Sequence, residues 1–142
     1  MVGVVIAVDP GRAKCGVAAV SMEGDVLARA VIAPDSLERT VREWAQKYSV
    51  VQLVVGDRTG AKEMVKRLQE AGLADLCGGI TVVDEHMSSV EGRTLYWRSN
   101  PPRGWRRLVP EGMRMPPEPY DGWVAEVLAR RYIEGRKNIP SS

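Results

Sequence analysis

Short apolar runs alternate with amphipathic stretches along this chain, and the alternation predicts its elements in order. Residues 2–8, VGVVIAV, are almost continuously apolar and β-branched, the pattern of a central strand buried on both faces. Asp9-Pro10-Gly11-Arg12 breaks the run as a turn. Residues 15–22 predict a second strand, ended by Glu23-Gly24-Asp25, and residues 26–32 a third, so the chain opens with a three-strand meander. Asp35 or Ser36 is placed to cap a helix, with capping-box spacing from Asp35 to Glu38. In that helix Leu37, Val41, Trp44, Ala45 and Tyr48 share one face. Residues 50–55 predict a buried strand stopped by Gly56, and a second amphipathic helix carries Ala61, Met64, Val65 and Leu68, with Gly72 as its terminator. Residues 80–83 predict a short fifth strand. Ser88 and Glu91 form another capping-box pair, opening a helix with Val90, Thr94 and Trp97. A last helix is predicted over about 121–134, with Val124, Val127, Leu128 and Tyr132 inward. Between them, about 100–119 is rich in Pro and Arg without a clear period and predicts a loop, and the tail from about 136 is expected to fray.

The order β-β-β-α-β-α-β-α-loop-α requires an α/β domain with a mixed five-stranded sheet, an antiparallel meander plus parallel strands, flanked by helices. Relatively few folds open this way, among them the RNase H-like fold and the ATPase fold of actin and the sugar kinases. The second generally needs another phosphate loop and another domain, and 142 residues leave little room for them. The length suits one RNase H-like domain over 1–142.

Composition narrows the class. At 44% hydrophobic and 27% charged, the chain reads as globular. No apolar run approaches the roughly 20 residues that span a bilayer. The N-terminal segment lacks a basic leader region, and Asp9 interrupts it early, so a cytoplasmic location without a membrane partner is expected. Cys15 and Cys77 lie far apart without metal-site spacing, which predicts buried free thiols. A net charge of +2 and a pI near 8.7 are too mild to imply nucleic acid. The distribution says more. Arg93, Arg98, Arg103, Arg106 and Arg107 occur with no Asp or Glu between Arg93 and Arg107, and Trp97 and Trp105 sit among them. That combination offers cations for phosphates and rings for unpaired bases; the plainer alternative is that the tryptophans pin a loop to the core. Trp44, Tyr48 and Tyr132 occupy core positions, and Arg130, Arg131, Arg136 and Lys137 are explained by the macrodipole at the last helix's end.

Acids at strand ends carry the candidate chemistry. Asp9 follows the first strand, Asp57 the fourth, Asp84 and Glu85 the fifth, and Asp121 starts the last helix. Parallel neighbours deliver their C-terminal ends to one edge, where α/β sheets bind ligands. Carboxylates converging there could hold two divalent ions about 3.5–4 Å apart, the arrangement that stabilises attacking and leaving oxygens in phosphodiester cleavage.

The segment VVIAVDPGRAKCGVAAV resembles the opening of the YqgF or RuvX family of Holliday-junction-resolvase-like and pre-16S rRNA-processing nucleases, through Asp9, Gly11, Lys14, Gly16, Val17 and Ala18. VVDEHMSSVEGRTLYW resembles that family's Asp-Glu-Arg and Glu-Ala-Arg block, and YDGWVAEVLARRYIE its closing helix. The resemblance implies an RNase H-like fold and a metal-dependent endonuclease of the two-metal-ion type. Asp9, Glu85 and Asp121 would be the catalytic, metal-binding acids, with Asp57 in reserve, and Mg²⁺ or Mn²⁺ the cofactor. Glu85 also reads as a solvated acid after an edge strand, and Asp121 as a helix N-cap. Arg12, Lys14 and Arg93 could steady phosphates beside the acids, with Trp97, Arg98, Arg103, Trp105, Arg106 and Arg107 contacting the strand further out. Two departures stand out: His86 replaces the family's Arg, and the 100–119 segment is longer than the family's connection. His86 reads as a surface side chain or as a proton-transfer group. The substrate would be DNA or RNA, bound by a monomer or a homodimer. The rival class is a nucleic-acid-binding module that has lost turnover.

Overall fold

Every residue of β1 (Val4–Asp9) and of β2 (Cys15–Ser21) is buried, because helices cover both faces of the sheet at its centre. A computed structural model describes residues 2–58, 60–110 and 113–137 of the chain. Alternation along β1 sends Val4, Ile6 and Val8 to one face and Val5 and Ala7 to the other. The first face packs against α1 (Leu37–Lys47), α2 (Ala61–Glu70) and the short α3 (Leu73–Leu76) through Leu37, Val41, Met64, Leu68 and Leu73. The second receives α5 (Asp121–Lys137) through Ala125, Leu128, Ala129 and Ile133. Ala7 and Ala18 in the sheet and Ala125 and Ala129 in the helix keep this second layer thin, so α5 lies close to the strands.

The sheet runs β3-β2-β1-β4-β5, completed by β3 (Val26–Ile32), β4 (Val50–Gly56) and β5 (Ile80–Val83). β1–β2 and β2–β3 are antiparallel, with Ala7 opposite Ala18, whereas β1–β4 and β4–β5 are parallel, with Val8 opposite Val55 and Gly56 opposite Val83. The three-strand meander and the parallel half are those the apolar pattern predicts. Cys15 and Cys77 are buried free thiols, and Trp44, Tyr48 and Tyr132 pack half-buried against the two core layers. Among the described residues no helix is long and apolar enough to cross a membrane.

In four places tertiary contacts add to or overrule the local reading. Neither capping box forms. Ser36 caps nothing with its side chain, and Glu38 instead accepts from Arg67 Nε at 3.0 Å, tying α1 to α2. At the start of α4 (Ser88–Ser99) the cap position is Met87, in the left-handed region with φ 62°, and Glu91 pairs with Arg131 at 3.2 Å. Charged partners elsewhere in the fold outcompete the local caps. Secondly, α4 rests on α5, with Gly92 against Val124, so it buries Ser88, Gly92, Tyr96 and Trp97 and leaves Val90 exposed. Thirdly, α2 ends near Gly72 as predicted, but Leu73 re-enters the core and draws a further helical turn after it. Finally, α5 continues through Arg136 and Lys137, while 138–142, the rest of the expected frayed tail, lie outside the described residues. Within 100–119, residues 111–112 also lie outside the described residues. The rest contains a 3₁₀ turn at Gly104–Leu108, and Arg114 Nε donates to the carbonyls of Arg106 (3.1 Å) and Val109 (3.0 Å).

Leu128 is fully buried against the thin face, whereas Leu76 is 54% exposed. Leu128→Ala should therefore cost about 3 kcal/mol of unfolding free energy and Leu76→Ala less than about 0.5 kcal/mol. Urea titration of both variants checks the layer assignment, and equal losses would refute it.

Candidate carboxylate site at the strand ends

Because β1, β4 and β5 are parallel, their C-terminal ends share one edge of the sheet. Asp9 is the last residue of β1; Asp57 and Arg58 follow β4, and Asp84 and Glu85 follow β5. Asp9 is 5% exposed and Glu85 4%. The two carboxyls adjoin. As carboxylates neither can donate to the other, so among the described residues Asp9 Oδ1 and both Glu85 oxygens lack a hydrogen-bond donor; a proton on either acid would create one bond between the two. Burial first, and then the bond and charge of Glu85, push Asp9 from its ordinary value of 3.8 up to about 7; Arg58 opposes the rise and Asp121 adds to it.

The backbone on both sides of Glu85 is held by side chains. Asp57 Oδ1 accepts from the Glu85 N–H at 2.9 Å. Arg131, on α5, donates to the carbonyls of Asp84 and His86, each at 2.6 Å. Arg58 Nε stands 2.8 Å from Glu85 Oε2, an ion-pair distance, but its N–H is not directed at that oxygen, which stays without a donor. Its Nη2 donates to Ser89 Oγ at 2.6 Å. Gly56 leaves the space the Glu85 carboxylate occupies, since a Cβ there would overlap it. Gly16, paired with Asp9 across β1–β2, does the same for α5: a Cβ would overlap the Asp121 carbonyl. Two missing side chains thus bring two acids toward the end of β1.

An open cleft of about 330 Å³ lies here, lined by Asp9, Lys14, Arg58, Ser89, Pro116, Pro117, Glu118, Pro119, Tyr120, Asp121 and Val124. The expected triad is only partly assembled. Asp9 and Glu85 form a pair and Asp121 lines the same cleft, but its carboxylate faces Lys14 Nζ at 3.6 Å. Among the described residues no three acidic, His or Cys side chains are grouped closely enough to hold a metal ion. The reserve ligand Asp57 is exposed, with one oxygen committed to the Glu85 N–H.

The basic positions divide. Arg12 is exposed on the turn after β1. Arg93 Nη1 lies 3.7 Å from Met115 Sδ, and Arg98 lines a separate α4–α5 groove with Arg130 and Arg131. Arg103 and Arg106 line a hollow against Tyr96 and Trp97, and Arg107 and Trp105 are exposed. Trp97 is 7% exposed, its ring edge-on to Tyr96 at 5.1 Å, so it offers no open face for a base to stack on and instead forms part of the wall of that hollow. His86 is exposed. Arg130 and Arg131 are not helix-end cations, because α5 runs on to Lys137; Arg130 pairs with Glu126 at 2.9 Å and Arg131 clamps the Glu85 loop. The sequence reading missed Arg58, Arg131 and Gly56. For Arg58 and Gly56 a signal existed, their place at a strand end beside Asp57; for Arg131 there was none.

A buried acid with a raised pKa holds its proton more tightly in the folded state. Its contribution to stability is full below 3.8 and is lost as pH rises through about 7. In EDTA, Asp9→Asn should therefore melt about 5 °C above the wild type at pH 8 and converge with it near pH 4. Melting curves of equal separation at both pH values would contradict the burial of this charge.

No protein-family profile and no curated protein matches the chain. Among solved structures it is similar to Thermus thermophilus RuvC in complex with a Holliday junction substrate, with 16% identity and a TM-score of 0.60 over 95% of this chain and 96% of that one. It is also similar to a further Thermus thermophilus RuvC structure, with 16% identity and a TM-score of 0.57 over the same shares, 95% and 96%. The fold is therefore RNase H-like, the mixed five-stranded sheet with flanking helices that the order of elements predicts.

Proposed function

We propose that this chain is a single RNase H-like nuclease domain of the YqgF or RuvX type, a metal-dependent endonuclease hydrolysing phosphodiester bonds in structured nucleic acid, Holliday-junction-like DNA or precursor rRNA, in the cytoplasm. One observation carries the reading: a buried pair of acids, Asp9 and Glu85, leaves three carboxylate oxygens without donors among the described residues, beside an open cleft at the strand ends. Buried polar groups are ordinarily partnered, and each orphan costs about 1–3 kcal/mol. Carboxylate oxygens short of donors are what a hard divalent cation takes as ligands, and Mg²⁺ or Mn²⁺ is commonly held by one or two carboxylates plus water and substrate phosphate, so the Asp9–Glu85 pair fits such an ion. Asp9 and Glu85 would hold it, joined by Asp121 once its carboxylate turns from Lys14. Such ions, when bound, stabilise charge on the phosphate oxygens and make water a better nucleophile.

The remaining side chains have roles of their own. Lys14 and Arg58 line the cleft and present cations to a phosphate. Asp57 and Arg131 fix the Glu85 backbone, as supporting contacts commonly fix ligands. Arg12, Arg93, Arg98, Arg103, Arg106, Arg107 and Trp105 extend the contacts along the nucleic acid. The Holliday junction bound by the similar RuvC supports a branched substrate. A second reading, a binding module without turnover, draws on Arg58 beside Glu85 and Lys14 beside Asp121, which already give both acids a cationic neighbour.

With Mg²⁺ or Mn²⁺, the wild type should cleave at least one of a four-way DNA junction, single-stranded RNA and duplex RNA. Asp9→Asn should lower that rate at least ~100-fold, and Asp57→Ala, which removes the acceptor for the Glu85 N–H, ~10-fold. Equal rates for the wild type and Asp9→Asn would sink the nuclease assignment. Tight binding of the same substrates without any cleavage would establish the binding module.

A further inference from the structure

The 3₁₀ turn Gly104–Leu108 presents Trp105 at 67% exposure, with the guanidinium carbon of Arg106 5.0 Å from the ring centroid. Beside it lies a hollow of about 300 Å³, whose lining includes Trp97, Asn100, Pro101, Arg103, Arg106 and Pro117. Its walls combine flat prolines with donors. Among the described residues the buried Trp97 indole N–H has no acceptor, and neither Arg103 nor Arg106 forms an ion pair. Between Glu91 and Glu111 the sequence contains no acid, and Glu118 accepts from the Tyr96 hydroxyl at 3.0 Å. Arg114 ties the turn to its own flank through the Arg106 and Val109 carbonyls. Pro117 lines both this hollow and the carboxylate cleft, so the two are neighbours on one surface.

From this arrangement we infer that Trp105, Arg103, Arg106 and the hollow against Trp97 form a binding site for an unpaired strand of nucleic acid leading into the carboxylate cleft. The inference rests on the proposed nuclease reading and adds a substrate class to it: nucleic acid with single-stranded character next to the bond that is cut. An exposed indole backed by a cation stacks on base faces, which are free in a single strand and hidden in a duplex. The hollow admits one base rather than a helical groove, and its surplus of donors suits the acceptors of base edges and phosphates.

Anisotropy titrations of the full chain in EDTA, with labelled oligo-dT, oligo-U and a blunt duplex, read binding independently of cleavage. Both single strands should bind more tightly than the duplex. Trp105→Ala should weaken single-strand binding ~10-fold and duplex binding less than about 2-fold, while Arg103→Ala and Arg106→Ala should each reduce the salt slope by about 1. Single-strand affinity unchanged by Trp105→Ala, or equal affinity for the duplex, would overturn the site. So would phosphatidylglycerol vesicles that depend on Trp105 when the oligonucleotides do not, which would make the patch a membrane contact. Metal-dependent cleavage with Trp105-independent binding removes this site and keeps the nuclease; Trp105-dependent binding with no cleavage in any metal does the reverse.

Discussion

Two carboxyl groups kept side by side and out of water set the arrangement of everything near the end of β1. Asp9 and Glu85 repel when both are charged, and burial raises that cost further. Around them the chain has spent most of its local polar contacts, one on the Glu85 N–H, two on the carbonyls beside it and one ion pair on its carboxylate. Three carboxylate oxygens are nonetheless left over. A net stability of about 5–15 kcal/mol tolerates a few such orphans, at about 1–3 kcal/mol each, only where a well-packed sheet offsets them.

That sheet is asymmetric, and the asymmetry serves the site. One face carries valine, isoleucine and leucine against three helices; the other mixes valines with Ala7 and Ala18 against α5, which adds Ala125 and Ala129. The thin face lets α5 approach until the start of the helix lies over Gly16, placing Asp121 at the cleft. From the same helix Arg131 reaches the loop that presents Glu85. One packing decision thus delivers an acid to the cleft and secures another.

Charge is partitioned rather than pooled. The arginines that look like one basic stretch from 93 to 107 reach separate surroundings: Arg93 a methionine sulfur, Arg98 the α4–α5 groove, Arg103 and Arg106 the hollow beside Trp97. Only the last of these adjoins the cleft, through Pro117. Arg106 also faces the exposed ring of Trp105.

The order of strands and helices, the central burial of β1 and β2, the free thiols and the strand-end places of Asp9, Asp57 and Glu85 were legible in the sequence. They depend on periodicity and on where apolar runs stop, which are properties of neighbouring residues. The capping boxes at Ser36 and Ser88 misled for the same reason: their acids, Glu38 and Glu91, found arginines 29 and 40 positions away that no local pattern reports. Tertiary structure alone decided that Trp97 is enclosed and Trp105 is open, that Asp57 holds a backbone N–H, and that Arg131 clamps the Glu85 loop. It also decided that Asp9 and Glu85 touch while Asp121 turns to Lys14. Sequence fixes which residues can reach an edge of the sheet. Which of them meet there depends on how closely helices approach it, and that distance is set by alanines and glycines whose partners lie far along the chain.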